Sequence, residues 1–243
     1  MLTESLKRHR PVRLAMRLLD CRSGLALTEF AFSLPILLVL IMAGLETANY
    51  AMAHLRVSSI AVLTADSAAR QRTAIDEAHV IEIFTGAKLS GANLNFAQNG
   101  RIVLSDVEPA PNGTNQWIRW QRCDGLLNVV PTYGRPLTAG GTAIANGTEI
   151  YRADRTTAAQ NPSSPDASAL LAVGRAGRTI AAQPGTAVMF VEVSYRYQSI
   201  TPFDLLDGRI IRYENSFNVR DRTNQSILNA GRVTPRSCNT FQA

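Results

Sequence analysis

The strongest pattern in the chain is a continuous apolar run near its N-terminus. Between Leu25 and Leu45 the only ionisable side chain is that of Glu29. A helix rises about 1.5 Å per residue, so a run of this length spans the hydrocarbon core of a bilayer, which is roughly 30 Å thick. The pattern predicts a transmembrane helix over residues 25–46, and Pro35 favours a kink within it because an interior proline removes a backbone hydrogen bond.

Helical periodicity continues beyond the apolar run. Apolar or small residues recur at intervals of three and four, at Leu45, Ala48, Met52, Leu55, Ser59 and Val62. This spacing predicts that the helix extends to about Arg72 and packs its second half on a domain. A further helix is predicted from Ala74 to Lys88, ended by Gly91, so that residues 47–90 form a helical extension.

From Asn93 onward the period changes to two, which is typical of β-strands. The dipeptide Asn99-Gly100 predicts a tight hairpin turn, and WIRWQRC (117–123) predicts a strand followed by a turn at Gly125. Apolar and polar residues alternate most clearly over 191–197 and 211–219, and we expect these two strands to pair antiparallel.

These patterns predict an α+β fold, in which the long N-terminal helix packs on a small antiparallel sheet. Residues 91–243 form the β-rich domain, with an insertion at about 138–184 that is rich in Gly, Pro, Thr and Ala. Within the insertion, TTAAQNPSSPDAS (156–168) is predicted to be a flexible loop.

The distribution of charge orients the predicted span. The formal net charge of the chain is +6, of which +4 lies before Gly24 and only +2 after it. Basic residues beside a span stay on the cytoplasmic side, so residues 1–24 are predicted to be a cytoplasmic leader and the C-terminal part to be exported. The small charge of the exported part excludes a basic surface for nucleic acid.

The carboxylate of Glu29 is costly inside a membrane, by about 2.5 to 3.5 kcal/mol at the centre of a span and by less near its end. If the chain were cut after Gly24, Leu25 would carry a free ammonium one helical turn from Glu29. Pairing of this carboxylate with the ammonium of its own chain, or of a neighbouring copy, would cancel two charges. The pattern therefore predicts side-by-side packing of identical or similar helices.

The arrangement of Gly24, four residues and then Glu29-Phe30 resembles the processing site of type IV prepilins, and most closely that of Flp-type prepilins. The whole chain is similar to the TadE-like pseudopilins of the tight-adherence (Tad, Flp) pilus system. The residues that carry this similarity are GLALTEFAFSLPILLVL (24–40), WQRCDG (120–125), VSYRYQ (193–198) and a late cysteine. The long insertion departs from a compact pseudopilin, and the longer TadG-like relatives with an added domain fit less well.

This resemblance implies a pilin-like fold and a structural role. It implies cleavage between Gly24 and Leu25 by a prepilin peptidase at the cytoplasmic face of the bacterial inner membrane. The mature single-pass protein, with a periplasmic domain, would then assemble through Glu29 with other pilins or pseudopilins and the Tad secretion platform. The implied function is assembly of a Tad/Flp pilus for adherence and biofilm formation, without enzymatic activity, cofactor or metal.

The chain contains three cysteines, Cys21 in the leader and Cys123 and Cys238 in the exported part. The last two share an oxidising compartment, which predicts a disulfide between them. A metal site is the alternative, and the lack of nearby histidines makes it the weaker one.

Residues with recognisable catalytic or binding patterns are sparse. The chain has three histidines and no nucleophile elbow, and GRAGRT (174–179) lacks the Lys-Ser/Thr pair of a P-loop, so it is predicted to be a loop. Asp204 and Asp207 share a loop that could hold Ca²⁺, but two carboxylates are an incomplete ligand set. Alternation favours core packing over a binding surface for four aromatic residues, Trp117, Trp120, Tyr195 and Tyr197.

An uncleaved signal anchor is the alternative interpretation of the N-terminal segment. Glu29 would then face water near the interface, and the exported domain would bind a ligand or catalyse a reaction. Such a protein should retain residues 1–24 and carry a pocket with convergent polar groups within residues 90–243. A cleavable secretory signal fits less well, because the apolar run is longer than a usual h-region and no small-x-small site ends it.

Overall fold

A computed structural model of the chain describes residues 23–109, 116–133, 173–202, 206–222 and 224–242. The chain divides after Asn49 into two compact units. Helix α1 (Ser23–Ala69) supplies the described residues of the first unit and continues into the second. One helix thus covers both the predicted span and most of its predicted extension.

The described residues of the first unit form the apolar part of α1. The most apolar window of the helix has a mean hydropathy of 2.2, and none of its residues is buried. By length and composition α1 could cross a membrane, and a signal sequence at this position would have the same properties. The helix continues through Pro35.

The second unit combines helices with a four-stranded antiparallel sheet. After residues 50–69 of α1 come α2 (Glu77–Ser90), a 3₁₀ turn (Ala92–Leu94) and the short helix α3 (Phe96–Asn99). The strands are β1 (Gly100–Pro109), β2 (Gln116–Asp124), β3 (Val188–Arg196) and β4 (Ile210–Asn218). Their order in the sheet is β2-β1-β3-β4. The α+β class and the antiparallel pairing of β3 with β4 are confirmed, while the pilin-like fold stays a prediction.

Helix α2 begins later than its predicted start at Ala74 because Asp76 caps it. The Asp76 side chain accepts hydrogen bonds from the backbone N–H of Ala78, at 2.9 Å, and from that of Ala230, at 2.8 Å. The first bond satisfies a helix N-terminal donor, and the second holds the C-terminal segment beside the helix. The predicted end at Gly91 is confirmed.

The predicted hairpin at Asn99-Gly100 is wrong. Asn95 adopts a left-handed conformation with φ of 49°, helix α3 follows it, and β1 begins directly at Gly100. The reason is the burial of Phe96, whose ring stacks on that of Tyr195 with 6.1 Å between ring centroids. A helical turn delivers this ring to the core, and the Asn-Gly pair marks the junction between helix and strand.

The apolar stripe predicted along the outer half of α1 does not form the buried face. Leu55 is 73% exposed and Met52 is 60% exposed. The buried face consists mainly of small side chains, at Ala53, Val57, Ile60, Ala61, Ala65, Ala68 and Ala69. The larger leucine and methionine side chains of the predicted stripe lie on the exposed side of the helix instead.

The apolar face predicted for the last two strands is confirmed, although β3 is buried on both faces from Val188 to Tyr195. The side chains of Val191, Val193, Tyr195 and Tyr197 are buried in one core cluster with Ile211 and Val219. Trp120 is buried in the same cluster, so core packing is the correct interpretation for this tryptophan and for both tyrosines. The side chain of Trp117 lies outside the described residues.

Most of the insertion also lies outside the described residues, including the predicted flexible loop at 156–168. Its last part, from Val173, forms a turn closed by two backbone hydrogen bonds between Val173 and Ile180. The GRAGRT segment lies in this turn, as predicted, and Gly174 and Gly177 have positive φ values of 116° and 84°.

Asp106 on β1 is completely buried in the second unit. Neither of its carboxylate oxygens has a hydrogen-bond partner among the described residues, since Trp120 Nε1 donates to the Gln225 carbonyl instead, at 3.1 Å. Burial raises the pKa of Asp106 well above its usual value; Glu108 adds to the shift, and Arg222 and Arg119 oppose it. The folded domain therefore binds a proton here more tightly than the unfolded chain does.

We predict that Asp106→Asn removes part of the pH dependence of stability. The Asp106 carboxyl makes its full contribution to the free energy of unfolding below about pH 4, the pKa of an aspartate in the unfolded chain. This contribution is lost as the pH rises through the raised pKa of the folded state. The variant should therefore unfold at a higher temperature than the wild type at neutral and alkaline pH. The expected gain is about 1.4 kcal/mol for each unit by which the pKa is raised.

Thermal unfolding of the full chain in detergent micelles, repeated across a pH series, measures this difference. Asp221→Asn is the matched control, because that carboxylate is exposed and its ion-pair distance to Arg72 is 3.9 Å. A pH dependence of stability that is the same in Asp106→Asn and wild type would contradict the prediction.

Candidate functional site in the N-terminal segment

The residues of the predicted processing motif lie in the first two turns of α1. Gly24, Leu25, Glu29 and Phe30 are all exposed, and Leu25 is 71% exposed. Helical geometry places Leu25 and Glu29 on the same face, four residues apart. The peptide bond between Gly24 and Leu25 and the Glu29 carboxylate therefore lie about one helical turn apart on an exposed surface.

Gly24 is not required by packing inside the described chain. A Cβ atom built at this position would meet no atom within 4 Å. Glycine inside a helix is less stable than alanine by roughly 0.5 to 1 kcal/mol, so here it carries a cost without an intramolecular benefit among the described residues. A requirement for glycine at this position would have to come from a partner that approaches the backbone.

Glu29 makes no ion pair or hydrogen bond with any residue that the structure describes. The nearby hydroxyls bond within the helix backbone, Thr28 Oγ1 to the Leu25 carbonyl at 2.8 Å and Ser33 Oγ to the Phe30 carbonyl at 3.1 Å. The rest of the helix surface around Glu29 is apolar. A carboxylate in this setting can gain a partner from a cation outside the described part of the chain.

A disulfide joins Cys123 on β2 to Cys238, the pair that the sequence predicts. Its sequence separation is 115 residues, and closing a loop of this size stabilises a fold by up to about 5 kcal/mol in the chain-entropy model. The disulfide attaches the C-terminal segment to the edge strand of the sheet. Cys21 lies outside the described residues.

Arg101 fixes the same C-terminal segment and was not predicted. Its Nη1 donates to the carbonyls of Gly125, at 2.8 Å, and Thr240, at 2.9 Å, and its Nη2 donates to the carbonyl of Cys238, at 3.0 Å. The guanidinium also lies 4.5 Å from the centroid of the Phe241 ring. Burial lowers the pKa of Arg101 to about 10, against the opposing effect of Asp124, so the side chain remains charged at neutral pH.

The segment WQRCDG has a structural explanation at nearly every position. Arg122 and Glu77 form a fully buried ion pair, in which Nε donates to Oε1 at 2.8 Å and to Oε2 at 2.9 Å. Asp124 pairs with Lys88 of α2 at 3.1 Å. Gly125 has a φ of 108°, and a Cβ there would lie 2.3 Å from the Gly100 carbonyl oxygen. These residues connect β2 to α2 and to the start of β1, so the segment secures the fold.

The other candidate sites gain little support. Asp204 lies outside the described residues, and Asp207 Oδ1 accepts a hydrogen bond from the backbone N–H of Ser199 at 2.9 Å. Within the described ranges, no group of three or more His, Cys, Asp or Glu side chains could hold a metal ion. His54 contacts the Tyr213 hydroxyl at 3.2 Å through Nδ1, beside a T-shaped contact with Tyr50.

Comparisons with protein-family models, with curated proteins and with solved structures found no match to this chain. The functional argument therefore depends on the residues and on the geometry described above.

Proposed function

We propose that this protein is a TadE-like minor pilin or pseudopilin. It is made as a precursor with a cytoplasmic leader, and a prepilin peptidase cuts it between Gly24 and Leu25. The mature protein stays in the inner membrane through residues 25–46, with its α/β domain in the periplasm or on the pilus. It acts in assembly of a Tad/Flp pilus for adherence and biofilm formation.

The observation that carries this proposal is the position of Glu29. The carboxylate is exposed on an apolar helix, has no partner among the described residues, and lies one turn from Leu25. Cleavage after Gly24 creates an ammonium at Leu25, and a second copy or a related pilin supplies the same group. Each pairing removes a charge that is costly in the bilayer, so processing and helix association are two parts of one mechanism.

The second unit supports an assembly role by its construction. Residues 53–69 of α1 belong to the core of the second unit, so the helix that carries Glu29 is also part of the domain by sequence. The disulfide suits an exported domain, because such bonds persist in oxidising compartments.

A second candidate function is ligand binding by a domain with an uncleaved anchor. It is favoured by one observation, a polar cleft in the second unit whose lining includes Glu192, Glu214 and Arg212. The cleft could bind a ligand whether or not the leader is cleaved.

The first test is substitution at the cleavage site. Gly24→Val should leave an uncut precursor, with cleavage slowed by more than about tenfold, equivalent to about 1.4 kcal/mol of lost transition-state stabilisation. Gly24→Ala should have a smaller effect, because its side chain is smaller. The measurement is the mobility of the protein on immunoblots from cells that contain their own pilus machinery.

Gly44→Val is the matched control for this test. Gly44 lies on the same helix, and a Cβ there also meets no atom within 4 Å, so the control reproduces the change in helix propensity and bulk away from the cut. Cleavage of Gly24→Val at the wild-type rate would contradict the proposed processing.

The second test separates processing from assembly. Glu29→Val and the isosteric Glu29→Gln should both be cut normally, but neither should be recovered with sheared pili, because the charge that pairs with the ammonium is gone. Recovery should fall at least about tenfold, as expected when about 1.4 kcal/mol of pairing is lost. Thr28→Val, an exposed neighbour that bonds only within the helix, is the control. Undiminished recovery of both Glu29 variants with pili would count against the pairing mechanism.

A further inference from the structure

A polar cleft of about 230 Å³ lies on the face of the sheet opposite to the cluster that includes α1. Alternation places Glu192, Ser194, Arg212 and Glu214 on one face of β3 and β4, and the lining also includes Val193 and Tyr213 between them. Ionisable side chains dominate its lining: Tyr133, Arg175, Arg178, Glu192, Arg212 and Glu214.

Two glutamates stand opposite each other at one end of the cleft. Glu192 of β3 and Glu214 of β4 are direct partners in the antiparallel register, and such residues have Cβ atoms about 4.5 to 5.5 Å apart. Like charges at this separation destabilise a sheet. Neither glutamate forms an ion pair with any described residue.

The bonds that these carboxylates do make come from neutral groups. Glu192 Oε2 accepts from the Thr132 N–H at 2.9 Å, and Glu214 Oε1 accepts from the Arg175 N–H at 3.3 Å. Burial, together with the neighbouring Glu214 carboxylate, raises the pKa of Tyr133 to about 12. The second carboxylate oxygen of Glu214, Oε2, is buried and has no partner among the described residues.

Burial increases the free-energy cost of keeping these two carboxylates ionised without a cation beside them. Glu192 is only 8% exposed, and desolvation raises its pKa, with a further contribution from Glu214. A cation beside these two carboxylates would therefore interact with them more strongly than it would in bulk water.

The other part of the cleft is positively charged. Arg212 lies opposite Ser194, one residue pair along the same face from the glutamates. Arg175 and Arg178 lie on the turn closed by Val173 and Ile180. All three arginines are exposed, and their side chains make no ion pair within the described ranges. Guanidinium groups of this kind bind carboxylates in a bidentate geometry.

We propose that this cleft binds a small zwitterion, specifically an α-amino acid with an acidic side chain. Its ammonium lies beside the carboxylates of Glu192 and Glu214, while its own carboxylates lie against the three arginines. Three arginines and two glutamates leave the lining with a net positive charge, which a ligand of net negative charge complements. The proposal holds whether or not the leader is cut.

The volume and the charges favour this ligand over two others. The cleft is smaller than the roughly 300 to 1,000 Å³ of pockets that hold drug-sized molecules, so a single amino acid suits it. A neutral monosaccharide would bond to the same carboxylates, but it would leave their repulsion and the arginines without counter-charge. A divalent cation would find two carboxylates where Ca²⁺ takes six to eight oxygen ligands, and it would lie beside three positive charges.

Calorimetric titration of the full chain in detergent micelles tests this proposal. L-glutamate should bind with a Kd below about 1 mM, and glutarate, which lacks only the ammonium, should bind at least about tenfold more weakly. No binding of L-glutamate or L-aspartate up to about 10 mM would overturn the proposal. Equal binding of glutarate, or binding of glucose or Ca²⁺ in place of the amino acids, would overturn it as well.

Two variants place the ligand in the cleft. Glu214→Gln keeps the size of the side chain and removes its charge, so L-glutamate should bind at least about tenfold more weakly, whereas glutarate should bind equally or better. Arg212→Gln should weaken both ligands. The controls are Glu82→Gln and Arg209→Gln, exposed residues outside the cleft. Thermal unfolding checks that each variant is folded, and unchanged affinity in both cleft variants would contradict the assignment.

Discussion

A single carboxylate on an apolar helix is the constraint on which the account depends. Glu29 is exposed on a helix whose most apolar window has a mean hydropathy of 2.2, and no described residue pairs with it. In a bilayer such a charge costs up to about 3 kcal/mol, which a neighbouring ammonium can offset. The open space around Gly24 and the exposed position of Leu25 make the backbone before that carboxylate accessible.

The second unit meets a different constraint, because its core must hold several ionised groups as well as apolar ones. Arg122 and Glu77 pair where both are fully buried. The Arg101 guanidinium donates hydrogen bonds to two carbonyls of the C-terminal segment and to that of Gly125, which take the place of water. Breaking a buried pair from one side costs about 3 to 5 kcal/mol. With the disulfide, these contacts hold α2, the sheet and the C-terminal segment in one arrangement. Asp106 differs, because neither of its carboxylate oxygens has a hydrogen-bond partner among the described residues.

Sequence patterns predicted the helices and strands better than they predicted which side of each is buried. The period of two along β3 and β4 identified the strands and the residues of the main core cluster, but it did not reveal that Glu192 and Ser194 on the other face of β3 are buried as well. On α1, large residues such as Leu55 marked a helical repeat, but the packed face belongs to alanines, whose small size carries little hydropathy signal. The buried roles of Arg101 and Arg122 depend on partners far away in sequence, and the opposition of Glu192 and Glu214 depends on strand register, so neither could be inferred from local pattern.

The N-terminus of the protein recovered from membranes tests the central claim most directly. Sequencing or intact mass should be determined on material from a cell with its own pilus machinery. The account predicts a chain that starts at Leu25, with the ammonium one helical turn from Glu29. A chain that starts at Met1 would contradict it and would identify α1 as an uncleaved anchor for the exported domain.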